Sequence, residues 1–335
     1  MKTAQVFNEN IVIKEMNDIK LDGRKGAIVQ VLGCGLCGSD IVKFKHKIVQ
    51  NGAVLGHEIV AKILEINSET NFKIGEKIVT SHHIPCGECK YCQHGNVSMC
   101  EHFKKTNIFP GGFSEKVFVS EEHLKNVAYL VPEDISDEEI SFYEPLGCCI
   151  RAIKRCDLQA GDSVLVVGLG SIGLLMSEGL KALGYNVFGC DLIEERIELA
   201  NNMGIKAFNS RNLDEFTKVI KDNTNEFGAD AVFMTSGADK AIDVALKTIR
   251  QGGKILVFSS TPLSNGYPNN EIYYKELTVM GSYSPSPADL QDSFKLLTSK
   301  KVNVKNLTTV YSLENIQQAF DDTISNRIFK AYIKI

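Results

Sequence analysis

The alternation of apolar and polar positions divides the chain into two parts. Up to about residue 145, short apolar runs of β type are separated by Gly, Pro and Asn turns, as at 27–32, 58–64 and 116–119. From about residue 160, strand-like runs alternate with longer helical stretches, which is typical of β-α-β units in a parallel sheet. This pattern predicts a mostly β part followed by a doubly wound α/β part.

The second part can be resolved into individual elements. Its predicted strands are 163–167, 186–190, 230–234, 253–258 and 277–280. Its predicted helices begin near Ser171, Glu194, Leu213 and Asp239. After about residue 284 the pattern predicts helices over 288–298 and 313–322, followed by a closing strand over 328–333.

Size and charge limit the classes of function. A chain of 335 residues exceeds what one hydrophobic core usually supports, so we expect two domains. The net charge of −4 and the lack of a long Lys/Arg run argue against nucleic acid or an anionic membrane as a partner. The first residues do not resemble a signal peptide and no run of apolar residues is long enough to span a membrane, so we expect a cytoplasmic protein.

Four of the ten cysteines lie close together in the sequence. Short spacings between successive thiols suit a closed structural zinc site, because one turn of backbone can supply two ligands. The two alternatives are an iron–sulfur cluster, which also needs four thiolates, and redox-active pairs. The spacing favours zinc, and the four candidate ligands are Cys86, Cys89, Cys92 and Cys100.

Three further segments each offer a residue type that binds metal. Cys37 lies within 35–40, His57 and Glu58 are adjacent, and Glu144 lies within 142–146. Alone, each residue is more commonly an ordinary core or surface side chain. The alternative interpretation of the serine and aspartate that follow Cys37 is a simple turn or helix cap.

A glycine-rich turn follows the first predicted strand of the α/β part. Gly168 allows the tight turn, Gly170 permits close approach of a pyrophosphate, and Gly173 allows the helix to pack on the sheet. The phosphates would lie at the helix N-terminus, beside Ser171 and Ile172. This setting of strand, loop and helix predicts a dinucleotide site.

Polar residues after the next strands extend this predicted site. Asp191 ends the second strand, where a carboxylate accepts hydrogen bonds from the adenosine ribose and repels a 2′-phosphate, so NAD is favoured over NADP. Arg196 could instead neutralise such a phosphate. Thr235 and Ser259 follow later strands and either border the cofactor or are ordinary polar loop ends.

Taken in order, these motifs resemble the zinc-containing medium-chain alcohol dehydrogenases, and within them the polyol and sorbitol dehydrogenase-like branch. The resemblance implies a mostly β, GroES-like catalytic domain over 1–147 and 286–335, with a structural zinc lobe at about 82–103. It implies a Rossmann NAD-binding domain, with a doubly wound parallel sheet, over 148–285. The expected cofactors are one catalytic and one structural Zn²⁺ per chain, together with NAD.

The resemblance also implies roles for individual residues. Cys37, His57 and Glu144 would bind the catalytic zinc, and Glu58 would be a ligand in some states of the metal. Ser39 would relay the alcohol proton, and the aspartate after it would orient His57. The glutamate at 144, where other alcohol dehydrogenases have cysteine, points to the polyol-like branch.

The expected reaction is oxidation of a secondary alcohol to a ketone with NAD. The alcohol would be a polyol, a sugar alcohol or a phosphorylated relative. Two alternatives remain: an L-threonine-type amino alcohol dehydrogenase, and an NAD-binding sensor without catalysis. Only nineteen residues separate Cys37 from His57, fewer than is typical of polyol dehydrogenases, so we expect an altered substrate pocket. The resemblance further implies a homodimer or homotetramer.

Overall fold

Two sets of strands form the two units of the computed structural model, which describes residues 1–238, 240–259 and 268–335. Unit 1 comprises Met1–Gly147, Ser286–Lys300 and Val304–Ile335, and unit 2 comprises Cys148–Pro285 and Lys301–Asn303. The predicted helix start at Asp239 lies outside the described residues. No helix in the described part of the chain is long and apolar enough to cross a membrane.

The strands, in chain order, are β1 Lys2–Phe7, β2 Asn10–Glu15, β3 Gly26–Gly35, β4 Glu58–Asn67, β5 Lys77–Thr80, β6 Lys116–Ser120, β7 Ala128–Leu130, β8 Ser163–Val167, β9 Asn186–Asp191, β10 Lys206–Asn209, β11 Ala229–Met234, β12 Ile249–Val257, β13 Thr278–Gly281, β14 Thr308–Ser312 and β15 Lys330–Lys334. The helices are α1 Gly38–Lys45, α2 Lys90–Gln93, α3 Glu101–Lys105, α4 Glu121–Val127, α5 Asp137–Ile140, α6 Tyr143–Arg155, α7 Ser171–Ala182, α8 Glu194–Asn202, α9 Leu213–Asp222, α10 Ala241–Thr248, α11 Asn269–Tyr274, α12 Pro287–Thr298 and α13 Ile316–Ile324. Short 3₁₀ turns lie at Val97–Met99 and Leu313–Asn315.

Unit 1 is built on a largely antiparallel sheet. Its strands run in the order β14-β15-β3-β4-β5-β7, with β6 also paired to β3, and β1 and β2 form a separate hairpin. The long strand β3 is buried almost throughout, and Ala27, Val29 and Val31 belong to a core that extends to Phe320 and Ile333. The sheet thereby holds the starts of β4 and β15 beside the end of β3.

Unit 2 is a parallel sheet with the strand order β10-β9-β8-β11-β12-β13. This order reverses direction beside β8, the topology in which dinucleotides bind at the carboxyl ends of the strands. Val164, Leu165 and Val166 are fully buried, as a central strand covered on both faces requires. The predicted doubly wound architecture is confirmed.

The structure corrects several element predictions. β10 was not predicted, because only Ala207 of its four residues is buried and no apolar run marks it. β12 begins at Ile249, four residues before its predicted start. The predicted helix over 313–322 opens as a 3₁₀ turn, and the helix proper begins at Ile316. The mostly β part also contains five short helices, α1 to α5, that its apolar pattern did not indicate.

Candidate metal centre and nucleotide site

The first predicted metal ligand lies at the N-terminus of α1. Cys37 is the N-cap residue, with extended backbone angles, and its Sγ accepts a hydrogen bond from the Ser39 backbone N–H at 3.4 Å. Asp40 caps the same helix, since its Oδ2 accepts from the Cys37 N–H at 3.2 Å. Its Oδ1 lies 3.5 Å from His57 Nδ1. Asp40 therefore acts both as a helix cap and as a partner of His57. Ser39, the next residue towards Cys37, is exposed to solvent.

His57 and Glu58 lie at the start of β4, opposite the end of β3. Glu58 pairs across the sheet with Gly35, and a Cβ on Gly35 would lie 2.0 Å from Glu58 Oε2. The absent side chain makes room for this carboxylate. On the other side of β3, Lys330 at the start of β15 forms an ion pair with Glu58, and both side chains are almost completely buried. Lys330 also donates to the Leu36 carbonyl at 3.3 Å.

The buried charges of this centre influence one another. Burial opposes ionisation of Asp40, but the neighbouring His57 lowers the pKa of this carboxyl. Burial likewise opposes protonation of His57, yet Asp40 and Cys37 raise its pKa well above the ordinary value. Burial opposes the charge of the Lys330 ammonium, but Glu58, Cys37 and Glu144 together raise the pKa of the lysine. The acidic groups of this centre thus stabilise positive charge on His57 and Lys330.

Glu144, in the first turn of α6, lies near His57 together with His82, a residue that was not predicted as a ligand. Ligand atoms of Cys37, His57 and Glu58 lie within 4.8 Å of one another. A second group, His57, His82 and Glu144, meets the same limit. The structure therefore brings the predicted ligands into two overlapping groups that share His57, both within unit 1.

Sequence reasoning missed His82 and Lys330. A signal for His82 is its position two residues after Thr80, which pairs with Ile59 in the β4–β5 ladder. Continuing that antiparallel register places His82 beside His57, and their ring centroids are 4.4 Å apart. Burial and neighbouring His57 lower the pKa of His82 well below the ordinary value, so its imidazole is neutral. Lys330 had no local signal.

The donor set fits a zinc ion. Thiolate, imidazole and carboxylate are the groups that bind Zn²⁺ in proteins, and catalytic sites commonly take three of them. A metal-bound imidazole usually donates its other ring N–H to a carboxylate, and Asp40 lies in the position to accept from His57. Ser39, predicted as the proton relay, lies two residues from Cys37 and faces solvent.

The four-cysteine lobe fits a second, closed zinc site. Its sulfur atoms are separated by 3.6 Å between Cys89 and Cys92, 3.6 Å between Cys100 and Cys86, and 4.0 Å between Cys86 and Cys92. Zn–S bonds of about 2.3 Å in a tetrahedron require S–S distances of about 3.8 Å. Although burial favours its neutral thiol, backbone N–H groups of Cys86 and Phe103 help to lower the pKa of Cys100 to about 6. The lobe is therefore preorganised for metal.

The glycine turn of unit 2 has the geometry that the sequence predicted. Gly168 has φ +94°, which favours glycine. A Cβ on Gly173 would lie 1.8 Å from the Gly168 carbonyl oxygen, so α7 packs directly on the turn. Gly170 is the N-cap of α7 and supplies no side-chain cap, so the first-turn amides near Ser171 and Ile172 are suited to a phosphate.

The other predicted cofactor residues lie at this edge of the sheet. Asp191 Oδ2 accepts from the Leu169 N–H at 2.7 Å and lies 3.6 Å from Arg196 Nη1. Thr235 Oγ1 donates to the Gly168 carbonyl at 2.7 Å, and Ser259 Oγ donates to the Ser236 carbonyl at 2.8 Å. Thr235 therefore stabilises the glycine turn through this hydrogen bond. The residue after Ser259 lies outside the described part of the chain.

Two family models match this chain, and known relatives align with nearly its whole length. Residues 23–129 match the family model of the alcohol dehydrogenase GroES-like domain, and residues 171–299 match that of the zinc-binding dehydrogenases. Sorbitol dehydrogenase of Halalkalibacterium halodurans is 31% identical over 323 residues, which cover 93% of this chain and 92% of that protein. D-xylulose reductase A of Aspergillus oryzae is 29% identical over 99% of this chain and 97% of its own length. Alcohol dehydrogenase TADH from Thermus sp. ATN1 superposes with a TM-score of 0.88 at 26% identity, covering 100% of this chain and 99% of that one.

Proposed function

The chain belongs to the zinc-containing medium-chain alcohol dehydrogenase family, and from this premise we propose that it oxidises a polyol or sugar alcohol reversibly to a ketone, with NAD as hydride acceptor. The proposal rests on one observation: Cys37, His57 and Glu58 form one group of possible metal ligands in unit 1, and His57, His82 and Glu144 form a second that shares His57. The names of the sorbitol dehydrogenase and xylulose reductase relatives support a polyol as substrate class.

Each residue of the centre has a distinct task. When bound, zinc would supply the Lewis acid that lowers the pKa of the alcohol, and NAD would accept the hydride. Cys37, His57 and Glu144 would hold the metal, and Asp40 orients His57. The exposed hydroxyl of Ser39 would pass the alcohol proton to solvent.

The nucleotide site supports NAD as the acceptor. Asp191 uses three of about four acceptor positions for the backbone N–H groups of Leu169, Leu192 and Ile193, which leaves capacity for a ribose hydroxyl. A 2′-phosphate would meet this carboxylate at close range, although Arg196 lies beside it. We therefore expect a higher kcat/KM with NAD than with NADP.

Turnover of a panel of alcohols tests the proposal directly. Polyols, their phosphates, threonine and simple secondary alcohols are offered with NAD, and reduced cofactor is followed by absorbance. We expect turnover of polyols, two zinc ions per chain, and loss of one zinc and of activity in Cys37→Ala. Cys156→Ala, a buried cysteine of unit 2, is the matched control and should keep both. NAD binding without turnover of any alcohol would favour a sensor, and turnover of threonine alone would favour the amino alcohol class.

We also propose a homodimer or homotetramer in the cytoplasm. β13 is the terminal strand of the unit 2 sheet, and its outer edge has no partner strand among the described residues. Such an edge can pair with a second copy of the chain. Size-exclusion chromatography with light scattering tests this, and a monomer at micromolar concentration would contradict it.

A further inference from the structure

His82 lies at the catalytic centre, yet the family motifs give it no role. Its ring packs between His57, at a centroid distance of 4.4 Å, and His83, at 3.9 Å. Its Nδ1 is inaccessible to solvent and has no hydrogen-bond partner among the described residues. A buried polar atom without a partner is costly, so a ligand for it is expected.

The neighbours of His82 indicate what that ligand is. One ring nitrogen of His82, one of His57 and a Glu144 carboxylate oxygen lie within 4.8 Å of one another. Donors on one tetrahedral zinc lie roughly 3.3 Å apart, as follows from bonds of about 2.0 Å. His57 and Glu144 are also two of the proposed catalytic ligands.

We propose that His82 is a further protein ligand of the metal bound by Cys37, His57 and Glu144. The inference rests on the proposed function and extends it. Four protein donors make a closed site, whereas a catalytic site keeps one position open. His82 would then be the donor that gives way to an incoming alcohol, because it lies in the loop after β5, whereas Cys37 is fixed at the N-terminus of α1 and His57 is held by Asp40.

His83 provides a matched control within the same stack of rings. Its Nδ1 lies 2.6 Å from the Thr106 carbonyl oxygen, and it belongs to neither group of ligand atoms. It also packs on Phe103 at a centroid distance of 4.7 Å, as a structural side chain would. His82→Phe and His83→Phe thus remove the same chemical group from adjacent positions with different predicted consequences.

The test measures metal retention rather than activity alone. Full-length wild type, His82→Phe and His83→Phe are loaded with zinc and titrated with a competing chelator. We expect the more weakly held of the two zinc ions to leave His82→Phe at a chelator concentration at least about tenfold lower than in wild type. His83→Phe should follow wild type. In the cobalt-substituted protein, His82→Phe alone should shift the visible absorption of the catalytic site.

The outcomes separate this inference from the proposed function. Equal zinc retention and equal cobalt spectra in wild type and His82→Phe would overturn the ligand assignment, even if wild type oxidises polyols normally. Equal losses in His82→Phe and His83→Phe would also overturn it, because a packing defect would explain both. His82→Gln repeats the test should the phenylalanine variant fail to fold. Absence of turnover in wild type contradicts the proposed function instead.

Discussion

Two neighbouring glycines of the unit 2 turn should separate stability from cofactor binding. A Cβ on Gly173 would lie 1.8 Å from the Gly168 carbonyl oxygen and 2.8 Å from its carbonyl carbon. Both atoms are backbone and cannot rotate away, so Gly173→Ala must displace α7 from the sheet. A Cβ on Gly170 would meet nothing nearer than Arg196 Nη1 at 3.9 Å. Gly170→Ala should therefore fold.

The expected magnitudes follow from these contacts. Overpacking costs about 1–3 kcal/mol, and the severe overlap at Gly173 places it at about 3 kcal/mol or above. With a slope of about 2 kcal/mol per M, the urea midpoint of unit 2 should fall by about 1.5 M. Gly170→Ala should stay within about 1 kcal/mol of wild type. Its methyl group occupies the approach to the helix N-terminus, so NAD should bind about tenfold more weakly or worse.

Two measurements test the expected effects of Gly173→Ala and Gly170→Ala. Unfolding in urea is followed by far-UV circular dichroism, because the chain has no tryptophan to report by fluorescence. NAD binding to the folded variants is measured by calorimetry. The reasoning is refuted if Gly173→Ala unfolds at the wild-type urea concentration, or if Gly170→Ala binds NAD with wild-type affinity.

Three further predictions concern unit 1. Cys89→Ser should lower the zinc content from two ions per chain to one and lower the thermal midpoint of unfolding, whereas the control Cys156→Ser should retain two zinc ions. Metal analysis measures the zinc content, and two retained zinc ions in Cys89→Ser would contradict the assignment of the four-cysteine lobe as a zinc site. Lys330→Met leaves the buried Glu58 carboxylate unpaired and should lower the free energy of unfolding by about 3–5 kcal/mol. The double variant Lys330→Met/Glu58→Gln should regain most of this loss, because it removes the unpaired charge. Denaturant titration of the single and double variants measures this, and an equally unstable double variant would show that packing rather than charge is responsible. Burial lowers the pKa of His123, so the folded state binds its proton less readily than the unfolded chain and stability should fall as pH drops below about 6.5. His123→Gln should flatten the change in denaturant midpoint between about pH 7 and pH 5, and an unchanged slope would assign that change to other groups.

Local sequence patterns predicted unit 2 more accurately than unit 1. β8 was predicted over 163–167 and is observed as Ser163–Val167, and α7 begins at Ser171 as predicted. A central parallel strand is buried on both faces, so its apolar run is continuous and its bounds are sharp. The edge strand β10 lacks this signal, since packing on one side against β9 is enough to form it.

The proposed catalytic centre can be read in part from local motifs, and the rest of it depends on tertiary structure. Cys37, His57 and Glu144 lie in short motifs that can be read locally. Lys330 lies 272 residues from Glu58, and only the order β15-β3-β4 brings them together across Gly35. His82 depends similarly on the register of β5 against β4. A single sequence contains neither pairing.

The position of Lys330 bears on why Glu58 would bind the metal only in some states. Removing a carboxylate from water costs several kcal/mol unless a nearby cation compensates it. The sheet supplies that cation from β15, so Glu58 is neutralised by the protein whether or not a metal is bound. A zinc ion at Oε1 would compete with Lys330 for the charge of this carboxylate, so the ion pair opposes ligation by Glu58. Asp40 lies beside His57, and Cys37 is held at the N-terminus of α1. The cross-strand pair across Gly35 thus disfavours Glu58 as a metal ligand relative to Cys37, His57 and Glu144.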